Sequence, residues 1–115
     1  MVISFVCRNI ELVDIIKCSF DLNKTDYSLV IFLIDQNQEF TVKELAQNLS
    51  LDRSTIQKSI SSLIKKDLIK KFQMNLPNGG YIFSYNMKNK SELKEIILKS
   101  VNGWHDSVTK LIKKW

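Results

Sequence analysis

The sequence predicts a mainly α-helical protein of the α+β class, in which several helices precede one small β-hairpin and a long helix closes the chain. Three observations predict it. Apolar residues recur at helical spacing through the first two thirds of the chain and again from Ser91 onward. Helix-start signals at Thr41 and Asp52 bracket one short helix and one short break. The period then changes to two at Ile69 and again at Tyr81, on either side of a loop that holds the only proline and two of the three glycines.

The first helix is expected near Ile10 to Cys18, where Ile10, Val13 and Ile16 share a face. A second, capped by Asn23 or Thr25, runs through Gln36. Its apolar run from Leu29 to Ile34 implies burial on most sides, and the length from cap to Gln36 favours a helix over a strand. After a polar break and Phe40 comes Thr41-Val42-Lys43-Glu44, a capping box. The Thr41 hydroxyl can accept from the amide of Glu44 while the Glu44 carboxylate accepts from the amide of Thr41. The helix it starts carries Val42, Leu45, Ala46 and Leu49 on one face and stops at Ser50-Leu51. Asp52 begins a fourth helix, its carboxylate taking free amide hydrogens and complementing the helix dipole. The apolar residues there are Ile56, Ile60, Leu63 and Ile64.

Two strands follow. Ile69, Lys71 and Gln73 alternate with Lys70, Phe72 and Met74, while Tyr81, Phe83 and Tyr85 alternate with Ile82 and Ser84. Between them the loop from Asn75 to Gly80 reverses the chain as a projecting hairpin. The final helix, from Ser91, places Glu92 and Glu95 in its first turn and Lys110, Lys113 and Lys114 in its last, matching the dipole at both ends. With small Ala46 where two helices cross and a break at Ser50-Leu51-Asp52, this is the order of a winged helix-turn-helix with a long C-terminal dimerisation helix. Residues 1–115 read as a single domain, with the helix-turn-helix at about 41–66, the wing at about 69–87 and the dimerisation helix at about 91–115.

Composition excludes several classes of function. At 44% apolar and 25% charged residues the chain is expected to fold rather than remain disordered. The longest apolar run, Leu29 to Ile34, is far short of the roughly 20 residues that span a bilayer. The apolar stretch Val2 to Cys7 lacks the positive residues and cleavage site of a secretory signal, so a cytoplasmic location is expected. Two cysteines make no disulfide framework, and His105, the only histidine, leaves no zinc set, so no metal or cofactor is expected. Cys18 lies in an apolar helical pattern and reads as a small hydrophobe; Cys7 has Arg8 as a cationic neighbour, which is weak support for redox sensing. Neither acid/base nor nucleophilic catalysis has a partnered set of side chains, so the chain is not expected to be an enzyme.

Charge is unevenly placed. Residues 53–90 hold eight bases, Arg53, Lys58, Lys65, Lys66, Lys70, Lys71, Lys88 and Lys90, against the single acid Asp67, a net +7. Residues 1–52 hold four bases against eight acids, a net −4. Such concentration suggests a surface that faces a polyanion. In a helix-turn-helix the second helix enters the major groove of double-stranded DNA with its N-terminal residues on base edges. Here those are Arg53, Ser54, Thr55, Gln57, Lys58 and Ser61. Hydroxyls and helix-terminal amides hold phosphates, Gln57 suits adenine, and Arg53 or Lys58 suits guanine or phosphate. In the hairpin Asn75, Asn78, Gly79 and Gly80 allow close backbone approach, with Lys70, Lys71 and Gln73 near for phosphates.

The stretches Leu22 to Leu29, Thr41 to Ala46, Asp52-Arg53-Ser54-Thr55-Ile56, Lys65 to Ile69 and Gly79 to Tyr85 together resemble archaeal transcriptional regulators of the TrmB-like and MarR-like winged-helix class. The resemblance covers most of the chain and implies a dimeric DNA-binding regulator with Arg53, Ser54, Thr55 and Lys58 on DNA. Ser50 departs from the glycine that many such turns carry, and no effector carries over.

The last helix supports dimerisation on its own terms. Ile97, Val101, Trp104, Val108, Leu111 and Trp115 alternate four and three residues apart, the spacing that keeps a seam against a partner helix. A homodimer would bring two recognition helices to successive major grooves about 34 Å apart. The expected function is therefore a sequence-specific double-stranded DNA-binding regulator of transcription. The alternatives are an architectural chromatin protein with little sequence preference and a winged-helix protein-interaction module.

Overall fold

The computed structural model describes residues 2–115. In chain order its elements are β1 (Val2–Phe5), β2 (Arg8–Glu11), α1 (Leu12–Phe20), α2 (Lys24–Gln36), α3 (Val42–Leu49), α4 (Arg53–Lys65), β3 (Ile69–Asn75), β4 (Tyr81–Met87) and α5 (Lys90–Lys114). This is the expected α+β arrangement with a long C-terminal helix. The chain falls into two compact units, one made of residues 23–90 and the other of the residues up to Leu22 together with Ser91–Trp115.

In the unit of residues 23–90 each helix begins where a side chain can take its first free amides. Asn23 rather than Thr25 caps α2, accepting from the Asp26 amide at 2.8 Å, and the Asp26 carboxylate accepts in return from the Asn23 amide at 3.3 Å. The Thr41–Glu44 capping box forms as the sequence predicts, with its two bonds at 3.2 and 3.0 Å. Between α3 and α4 the chain turns through Ser50 at φ +54°, a left-handed conformation, and the Leu51 amide donates to the Ala46 carbonyl at 3.0 Å. The turn common in glycine-containing motifs is thus made by serine, at a steric cost of about 1 kcal/mol.

The core of this unit gathers Leu29, Val30 and Leu33 from α2, Leu45 and Ala46 from α3, Ile56, Ile60 and Leu63 from α4, and Leu68, Ile69, Tyr85 and Met87 from the hairpin, all buried. A fully buried leucine or isoleucine contributes about 1.5–3 kcal/mol. Ile64, expected in the core, is instead 39% exposed; one residue past Leu63 is about 100° further round the helix, which turns it off the buried stripe. Strands β3 and β4 pair antiparallel from Ile69↔Met87 to Asn75↔Tyr81. Phe40 adds a third edge that the sequence reading did not include, its amide donating to Tyr85 at 3.0 Å and its carbonyl accepting from Tyr85 at 2.8 Å.

In the other unit, β1 and β2 form an unexpected antiparallel hairpin with Val2↔Glu11 and Phe5↔Arg8 at its ends. Ile10, expected on a helix, therefore lies in β2, and α1 starts at Leu12, where the Glu11 amide donates to the Asp14 carboxylate at 3.1 Å. Cys18 is exposed rather than packed as a hydrophobe. Phe20, Leu22 and Leu93 are buried. Helix α5 begins at Lys90, one residue before the expected start. No helix among the described residues is long and apolar enough to cross a membrane.

Candidate nucleic-acid interface

Helix α4 is set in place at its first turn. The Asp52 side chain accepts from the Thr55 amide at 2.7 Å and from the Ser54 hydroxyl at 2.9 Å. Its carboxyl is held below the ordinary value by the Thr55 side chain and amide and by Ser54, with the positive charge of Lys58 adding to the effect. Ser54 and Thr55, both expected on DNA, thus also serve the cap, and Thr55 is half-buried. Arg53 is exposed beside them.

Beyond that turn α4 separates cleanly into two sides. Ile56, Ile60 and Leu63 face the core, whereas Gln57, Lys58 and Ser61 are exposed. With Ser54 these line one shallow surface groove that continues over Ser62, Lys65 and Lys66. Lys65 and Lys66 extend the expected site by one turn. Their signal was present in the sequence, since Lys58, Ser61 and Lys65 stand three and four residues apart and so share a side.

A second polar device lies on the buried side. Ser59 falls among Ile56, Ile60 and Leu63 and is 5% exposed; its hydroxyl donates to the Asp26 carboxylate at 2.7 Å, and Asp26 is 4% exposed. The same carboxylate closes the capping box of α2. One buried acid therefore ties the start of α2 to the middle of α4, which fixes how the groove-lining side is presented. Sequence reasoning did not single out this pair. A serine at a core position of an apolar stripe was the available signal.

On the wing, Lys70 and Lys71 are neighbours in β3 and so point to opposite faces of the ribbon. Lys71 places its ammonium 3.8 Å from the centroid of the Phe83 ring, a cation–π contact. The Gln73 side-chain amide donates to that of Asn75 at 3.4 Å. Lys88 is paired with Asp67 at 2.6 Å. At the tip Asn78, Gly79 and Gly80 are exposed, and Gly79 and Gly80 take φ +90° and +79°, where a side chain would strain the backbone although open space surrounds both. The structure thus brings Ser54, Gln57, Lys58 and Ser61 onto one continuous surface and places Asn78, Gly79 and Gly80 at the end of the hairpin.

The expected seam of α5 is open to solvent. Val101, Trp104, Val108, Leu111 and Trp115 are exposed and Ile97 is half-buried. Among the described residues no group of side chains could hold a metal ion.

Comparison with known proteins places this geometry. A structure described as a possible transcriptional regulator from Methanosarcina mazei superposes with a TM-score of 0.90 at 31% identity, covering 100% of this chain and 97% of that one. MarR of Staphylococcus aureus shares the winged-helix fold at a TM-score of 0.54 and 20% identity, over 86% of this chain and 65% of its own. The uncharacterized protein MJ1503 of Methanocaldococcus jannaschii is 31% identical over 101 residues, 88% of this chain and 73% of that protein. The DnaD N-terminal domain family matches residues 10–108, and the chain belongs to that family.

Proposed function

We propose that the protein is a homodimeric, sequence-specific double-stranded DNA-binding regulator of transcription, acting in the cytoplasm without enzymatic activity. One observation carries the reading. The cationic and hydroxyl-bearing side of α4, with Ser54, Gln57, Lys58, Ser61 and Lys65, stays uncovered while Ile56, Ile60 and Leu63 are committed to the core. A duplex meets there the hydroxyls, amide and ammonium groups that hold phosphates and read base edges. The net +7 of residues 53–90 favours a polyanion over a neutral partner. The Methanosarcina mazei protein, described as a possible transcriptional regulator, supports the same assignment, as does the TrmB-like and MarR-like pattern of the sequence. The exposed α5 residues supply the apolar area that a second copy would bury, in the manner of a coiled-coil seam.

Selection of bound fragments from genomic DNA, followed by competition against bulk DNA, tests this. A regulator prefers its selected site by about 10³-fold or more. Equal affinity for selected and bulk DNA would instead make it an architectural protein, and absence of DNA binding would leave the α4 surface to a protein partner.

A further inference from the structure

We propose that the tip of the wing is an apolar wedge that enters the minor groove, unstacks a base step and bends the duplex. The inference rests on the DNA-binding reading and deepens it.

From Phe72 to Met87 the chain carries no charged residue. The basic surface of β3 therefore ends at Lys71, and the tip has no side chain with which to neutralise a phosphate. What it displays is apolar. Met74 is 57% exposed and Leu76 40%, and the register sets Met74 opposite Ile82 and Phe72 opposite Ser84, so Phe72, Met74 and Ile82 share one face of the ribbon. The tip is also shaped in advance. The Leu76 amide donates to Gly80 at 3.0 Å and the Gly79 amide to Leu76 at 3.1 Å, and the Pro77 ring restricts φ between them.

An ordered apolar tip flanked by Asn75 and Asn78 matches the chemistry of minor-groove binders. There leucine, methionine and proline unstack base steps, while side-chain amides read the acceptors of A·T pairs. The charge pattern selects the occupant: Lys70 stands on the same face of the ribbon as Phe72 and Met74 and leads into the tip, and the cationic side of α4 belongs to the same unit. A duplex held by those ammonium groups brings its base steps to an uncharged tip. An uncharged lipid surface or an uncharged protein would leave the ammonium groups unused.

The test is end-to-end energy transfer on a doubly labelled duplex carrying the selected site, with affinities measured at several salt concentrations for the wild type, Leu76→Asn and Met74→Gln. Melting curves verify that each variant folds; the tip bonds of Leu76 are made by its backbone, and Met74→Gln provides a second route to the answer. The wild type is expected to kink the duplex by about 20° or more. Each variant should lose the kink and about tenfold in affinity, with the salt slope unchanged because no phosphate contact is removed. A straight duplex under bound wild type, or an undiminished kink in both variants, overturns the wedge while DNA binding stands. Failure of the wild type to bind any duplex overturns both.

Discussion

Helices α4 and α5 are both amphipathic, yet they settle their apolar sides in opposite ways. In α4 Ile56, Ile60 and Leu63 are at most 1% exposed, so apart from Ile64, 39% exposed at the edge of the stripe, the surface keeps polar and cationic groups. In α5 Trp104 is 67% exposed, Leu111 68% and Trp115 100%. A helix whose apolar side is satisfied within its own unit meets a partner through charge and hydrogen bonds, which salt weakens. One whose apolar side is open meets a partner through buried area, which salt does not screen. In the proposed reading, duplex contact falls to the first helix and self-association to the second.

The largest effect expected from breaking this contrast is at Trp104. Trp104→Ala removes a central aromatic anchor and should weaken the dimer by about 30-fold or more. Sedimentation at several protein concentrations reads it, and the melting temperature should fall with the dimer population. An unaltered dimer would place self-association elsewhere. On the α4 side, Ser59→Ala leaves the buried Asp26 carboxylate without its 2.7 Å hydrogen bond. The expected cost is about 1–3 kcal/mol in denaturant unfolding, because a buried acceptor has lost its donor. A change no larger than that of an exposed serine would mean that Asp26 does not depend on Ser59. The smallest effect sharpens the turn that joins α3 to α4. Ser50→Gly relieves the left-handed backbone at φ +54° and should raise stability by about 0.5–1 kcal/mol, while a loss would show that the serine side chain supports the turn.

Much of this was legible in the sequence because local chemistry decides it. The capping box at Thr41, the cap at Asp52 and the change of period at Ile69 each need only neighbouring residues, and each element stands within a residue or two of its expected place. The polar side of α4 was readable for the same reason. The N-terminal hairpin was not, since its strands are four residues long and their turn at Val6-Cys7 contains none of the glycine, asparagine or aspartate that announces a tight reversal. The Asp26–Ser59 bond and the Phe40–Tyr85 bridge join residues far apart in the chain. No local pattern encodes such pairings, which depend on tertiary packing. Ile64 and Cys18 show the remaining limit: helical spacing names the apolar stripe but not its bounds, and Ile64 lies at the edge of its stripe whereas Cys18 is on the exposed side of its helix.

The central claim, that the open side of α4 lies against a duplex, is tested most directly by the salt dependence of DNA binding in Lys58→Ala. The side chain is exposed and outside the core, so melting should match the wild type. The slope of log affinity against log salt should fall by about 0.9, the contribution of one phosphate contact. Unchanged affinity and slope in a variant that melts normally would contradict the account.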